Sequence, residues 1–316
     1  MVATPTRKAT PAKKTVQPAT QPATRPPNPD VVWEKLPEDF VLPDDPVDNV
    51  NQPAIAAALT DSLSTGGYLS ETAITTTNYG ICAKYKGKTV VKAPDWAWVP
   101  NISVPKAEVE RSYTPVLEGD LPLVVMEFIS KTPGGEYSVD PGHPPGKMFY
   151  YERILQIPNY IVFIPQSGVI HHYRFDESGR YEAQPPQMDN RYWLPEANLF
   201  LGTWEGQHLD RSGLWLRWWD ENGQLLLWNE EKVRQERKRA EQEHERAEQE
   251  HERAEQERER AEQEHERAEQ ERDRADEASQ VSKKAVEKLV ALQLSIEEVA
   301  DTLDLSVEAV QAILQA

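Results

Sequence analysis

Two carboxylates stand out because of their neighbours. Asp95 follows Val90-Val91-Lys92-Ala93-Pro94 and precedes Trp96-Ala97-Trp98-Val99, and Glu127 sits between Leu123-Val124-Val125-Met126 and Phe128-Ile129. Ionising a carboxylate among apolar residues is costly unless a cation or a hydrogen-bond donor meets it. Strand alternation places Glu127 on one face with Val125 and Ile129. On adjacent strands the two carboxylates could grip one hard divalent cation, Mg²⁺ or Mn²⁺, because such ions prefer oxygen ligands. Other residues promise less. His171 and His172 are neighbours in a strand-like segment, so they face opposite sides and cannot chelate one ion together. Six tryptophans (Trp193, Trp204, Trp215, Trp218, Trp219 and Trp228) crowd into one stretch. They could stack on bases or sugars, but such aromatics more often fill hairpins or contacts between subunits. The sequence contains no Gly-rich phosphate loop, so nucleotide hydrolysis has no support.

The elements that must position these residues can be read from periodicity and punctuation. Residues 53–64 form a helix that begins on Pro53 and stops at Gly66-Gly67. Strands are expected at 68–79, 89–99 and 121–130. A second helix covers 147–156, with Met148, Tyr151, Ile154 and Leu155 at helical spacing and Pro158 after its end. Strands follow at 159–164 and 169–175, then β-hairpins within 180–228. This order predicts an α+β fold with a mixed β-sheet and flanking helices. From Lys232 the chain changes character. Alanine recurs every seven residues from Ala240 to Ala275 within RAEQEHE-like units, with Arg and Glu at i+3 and i+4. Such a repeat must be a long charged helix, and as one small residue per heptad makes a poor coiled-coil seam, a solitary helix is favoured over an alanine-seamed coiled coil. Residues 281–316 read as a short helical hairpin with Ser295 and Ser306 at N-cap positions. It resembles a helix-turn-helix, but 306–316 has no Lys or Arg to contact phosphate or guanine. We read it as a protein-contact or self-association module, with a homo-oligomer or a protein partner joined through the C-terminal helix.

Composition marks four regions: a Thr/Pro/Ala-rich tail (1–30), one domain (31–229), the heptad helix (230–278) and the hairpin (279–316). The tail reads as disordered, although a basic, Thr-rich leader could also serve as an organelle transit peptide. The formal net charge is −18 over 316 residues. It divides into about +4 for the tail, −11 for the domain and −11 for the remainder. A domain this acidic has no general attraction for nucleic acid, which leaves only a localised, metal-screened site. The single cysteine, Cys82, excludes an internal disulfide and an all-cysteine metal site, and suits the cytoplasm. No window has the ~20 apolar residues of a membrane span.

Four segments in order resemble the PD-(D/E)xK nuclease superfamily, and more closely its Uma-two family of restriction-endonuclease-like proteins. They are A-P-D-W-A-W-V at 93–99, P-L-V-V-M-E-F-I-S at 122–130, K-M-F-Y-Y at 147–151 and I-P-N-Y-I-V-F-I-P at 157–165. The resemblance implies a restriction-endonuclease-like sheet over roughly 50–228 and a metal-dependent DNA endonuclease. Asp95 and Glu127, with the carbonyl of Phe128, would hold Mg²⁺ (or Mn²⁺) to polarise the scissile phosphate and activate water, and Lys147 would orient that water or stabilise the transition state. The superfamily usually places its lysine two residues after the Glu, where this chain has Ile129; Lys147, from the next helix, stands in for it. The family's acidic residue before that lysine has its nearest counterpart in Asp140, and an acidic residue from the first helix would be Asp61 or, beyond it, Glu71. The rival reading is a non-catalytic interaction protein that keeps a nuclease-like fold as a scaffold.

Overall fold

The computed structural model describes residues 26–42, 50–129 and 135–315. Most of the tail expected at 1–30, and Ser130 of the strand expected at 121–130, lie outside them. The chain divides into two compact units, Met1–Gln235 and Glu236–Ala316.

The first unit is mixed α+β. Helix α1 (Asn51–Gly66) carries Pro53 in its first turn and buries Ile55, Ala56, Leu59 and Leu63 along one face. It closes at Gly67, whose φ of 78° is the left-handed conformation that lets its N–H turn back onto the last helical carbonyls. A six-stranded sheet runs in the order β2 (Ile74–Thr76), β5 (Trp96–Val99), β6 (Val124–Phe128), β7 (Asn159–Ile164), β8 (Val169–Phe175) and β9 (Tyr181–Gln184). Only β6 and β7 pair in parallel. A parallel pair needs a long crossover. Here the crossover carries α2 (Lys147–Phe149), which continues as a π-helix over Tyr150–Leu155.

Two smaller sheets flank the large one. The first joins β1 (Val31–Val32), β3 (Ile81–Tyr85) and β4 (Lys88–Lys92); the second joins β10 (Tyr192–Leu194), β11 (Leu199–His208) and β12 (Arg211–Trp219). The strand expected at 89–99 is therefore two strands. The chain breaks at Ala93-Pro94-Asp95 and sends β4 and β5 to different sheets. Proline has no N–H to give a ladder, so the break falls where pairing would fail. The strand expected at 68–79 shortens to β2, and β3 was not expected.

Side chains alternate between two cores. Val124, Met126 and Phe128 of β6 pack with Ile55 and Leu59 of α1 and with Trp215 and Trp218 of β12. On the opposite face, Val125 packs with Tyr150, Tyr151, Ile154 and the β3–β4 hairpin. The tryptophans mostly fill the first core: Trp96, Trp215, Trp218 and Trp228 are almost fully buried.

Helix α3 (Asn229–Ala291) runs through the heptads without interruption, and only Val286 within it is buried. In the second unit, α4 (Ile296–Leu303) and α5 (Val307–Gln315) close a small core of Val286, Val299, Ala300 and Val310. Ser295 caps α4 reciprocally with Glu298, and the Ser306 hydroxyl accepts from the Ala309 N–H, as their N-cap positions predict. Among the described residues, no helix is long and apolar enough to cross a membrane.

Candidate functional site

The register of β5 against β6 pairs Trp96 with Met126. One step further along each strand stand Asp95 and Glu127, so the two carboxylates come from adjacent strands. The Phe128 N–H donates to Asp95 Oδ2, which fixes Asp95 just outside the end of β5. Glu127 lies on the face of Val125, toward α2, and is 1% exposed. Its Oε2 accepts from Lys147 Nζ at 2.9 Å and its Oε1 from the Tyr151 hydroxyl at 2.8 Å. Helical spacing explains the pairing, since Lys147 and Tyr151 lie four residues apart on one side of the crossover helix.

Burial dominates the electrostatics. It raises the Glu127 carboxyl to about 7, with Lys147 pulling it down and Asp95 pushing it up. Burial alone would lower Lys147, but its pairing with Glu127, together with Glu136 and Asp95, raises it overall, so the ammonium stays charged. Tyr151 is held far above the usual phenol range, by burial first and then by Glu127, and remains a donor.

Two members of the cluster were not foreseen. Glu136, in the loop before α2, is largely buried and approaches Lys147 Nζ at 3.5 Å. A loop has no periodicity to betray such a residue. Asp140 is exposed and accepts from the Gly142 N–H within its own turn. Gln52, in the first turn of α1, donates from Nε2 to the Phe128 carbonyl at 2.7 Å. Its signal was present: 52, 55, 56, 59 and 63 form one helical stripe, and Gln52 is its polar member. The acidic residues considered for this position lie elsewhere. Asp61 accepts from the Asn229 N–H at the start of α3, and Glu71 is exposed in a turn.

The histidines divide between the faces as expected. His171 Nδ1 meets the Tyr137 hydroxyl at 2.7 Å, while His172 is buried and its Nε2 meets Asn159 Oδ1 at 2.9 Å. Burial, aided by Arg174, lowers His172 to about 3, so it is neutral near pH 7. Cys82 is buried and its thiol is pushed up to about 11, chiefly by desolvation, which makes it a poor nucleophile.

Among the described residues, no group of three or more His, Cys, Asp or Glu side chains is arranged to hold a metal. A cation would rest on Asp95, Glu127, the Phe128 carbonyl and water. That all-oxygen set suits Mg²⁺, which takes one or two carboxylates and keeps several waters. Neither the protein-family models nor the curated proteins compared with this chain contain a match to it.

Proposed function

We propose that the first unit is a metal-dependent endonuclease of the PD-(D/E)xK type, similar to the Uma-two family, that hydrolyses phosphodiester bonds in DNA. One observation carries this reading: a fully buried glutamate, beside an aspartate from the neighbouring strand, is bonded to a lysine delivered by the crossover helix. The restriction-endonuclease-like assignment of the sheet belongs to the same reading, as does a place in the cytoplasm. The cluster sits at the carboxyl end of β6, the end of a parallel strand where α/β sheets commonly bind ligands. Bound Mg²⁺ or Mn²⁺ would supply Lewis-acid polarisation of a phosphoryl oxygen. Asp95 and Glu127 hold the cation, Gln52 fixes the Phe128 carbonyl, and Tyr151 orients Glu127. Lys147 balances the carboxylates and keeps a positive charge beside the reacting phosphate.

Nicking of supercoiled plasmid in Mg²⁺ or Mn²⁺ tests this assignment. Asp95→Ala and Glu127→Ala should each lower the rate by ~100-fold or more, equivalent to about 2.7 kcal/mol of barrier. Activity that survives both substitutions removes the site assignment. The scaffold reading also has an observation in its favour: Lys147, Tyr151 and Gln52 already satisfy the Glu127 carboxylate and the Phe128 carbonyl without a metal. No cleavage of any DNA, together with no heat of metal binding in calorimetry, would favour that alternative.

A further inference from the structure

Lys92 ends β4, three residues before Asp95. It shares a strand face with Val90, which is buried in the core that contains Tyr150 and Tyr151. The Tyr150 hydroxyl donates to the carbonyl of Ile81 at 2.7 Å and approaches that of Val90 at 3.4 Å, and Ile81 is the cross-strand partner of Lys92. Lys92 is half-buried there, and both Lys147 and Glu127 act on it electrostatically. Burial is the main influence lowering its pKa; Lys147 adds to it and Glu127 opposes it.

The two lysines differ in what they touch. Lys147 is ion-paired to Glu127 and Glu136. Lys92 makes no hydrogen bond or ion pair with any described residue. A partly desolvated cation beside a second cation is a cost that an arriving anion would repay. On the endonuclease reading, that anion is a phosphodiester of the nucleic acid.

We propose that Lys92 binds a non-bridging oxygen of the nucleic-acid phosphate beside the Asp95–Glu127 pair, while Lys147 serves as the internal counter-ion of Glu127. The proposal rests on the endonuclease reading above. Lys92 contributes one phosphate contact, indifferent to base sequence, and sets where the scissile phosphate lies.

The test is equilibrium binding of a short DNA duplex in Ca²⁺ across a range of salt, alongside cleavage in Mg²⁺, for wild type, Lys92→Met and Lys92→Arg. Lys92→Met should reduce the slope of log affinity against log salt by about 1, weaken binding to unrelated sequences equally, and lower kcat/KM. Lys92→Arg should retain most of the slope. The Tm of Lys92→Met should equal or exceed that of wild type, because an unpaired, desolvated charge is removed; a purely structural lysine would lower it. If wild type binds and cleaves but Lys92→Met leaves slope and affinity unchanged, Lys92 is not the phosphate contact and the endonuclease reading stands. If wild type neither binds nor cleaves, both fall.

Discussion

Glu127 carries most of the chemical tension at the site. Its carboxyl is fully buried and raised to about 7, chiefly by desolvation, although Lys147 and Tyr151 both stabilise its ionised form. The sign of the resulting pH dependence follows from linkage. A folded-state pKa above the unfolded value means that the folded protein holds a proton the unfolded chain releases. The stability from this group is complete below about 4.5 and is lost as pH rises through about 7. In metal-free buffer, urea unfolding should show wild type losing about 3 kcal/mol relative to Glu127→Gln between pH 4.5 and 8. Mg²⁺ should recover stability at pH 8 and do little at pH 5, because a cation favours the ionised carboxylate. Equal pH profiles for the two proteins would show that Glu127 does not titrate in this range. Asp95 and Glu127 stand out in the sequence because carboxylates within or beside apolar segments are conspicuous, whereas Lys147 is singled out only through the resemblance, by its spacing to Tyr151. Glu136 and Lys92 were not legible there: one lies in an aperiodic loop, and the other reads as an ordinary strand-end lysine.

At the scale of elements, the first turn of α3 is tied into the first unit by a buried cation. Arg217 of β12 is fully buried, donates from Nη1 and Nη2 to both carboxylate oxygens of Glu231 at 3.2 and 2.7 Å, and donates from Nη2 to the Leu226 carbonyl. Its guanidinium lies 3.3 Å from the centre of the Trp228 ring, and the Glu231 carboxylate also accepts from the Trp228 N–H. Removing one member of a buried pair strands the other charge, at a cost of roughly 3–5 kcal/mol. Glu231→Ala should therefore lower the unfolding free energy by about that amount, and Arg217→Met with Glu231→Leu should recover most of it. A double variant no better than the single would show that the stacking on Trp228, not the ion pair, supplies the stability. Elements with a strong period (α1, β6, β7, β8 and the heptad helix) were readable directly. The β3–β4 hairpin was not, because its two-residue turn, Lys86-Gly87, places a lysine at φ 48° where asparagine or aspartate is the usual signal. The π-helical stretch that holds Tyr150 and Tyr151 was read as ordinary helix, since a one-residue change in hydrogen-bond register leaves little trace in side-chain spacing.

The whole molecule holds two kinds of stability. The first unit rests on two apolar cores wrapped around a six-stranded sheet. The second has only a small core, Val286, Val299, Ala300 and Val310, with partly buried neighbours such as Leu289 and Leu303. Between these cores the heptads of α3 are exposed and depend on helix propensity and on pairs such as Arg239–Glu243 at 3.1 Å. Each such pair contributes only about 0.2–0.5 kcal/mol and is screened by salt. Because no core residue is shared, the two units should unfold separately. A chain ending at Gln235 should keep the Tm of the first unit within ~2 °C, while 1 M NaCl should reduce the helical circular dichroism of the full chain and leave the near-ultraviolet tryptophan signal unchanged. The same truncation examines self-association, since a mass in solution unaffected by loss of 236–316 would place any oligomer contact outside the arm. If truncation instead unfolded the first unit, the heptad helix would have to be part of that fold, and its alternating charges would need a partner surface in place of solvent.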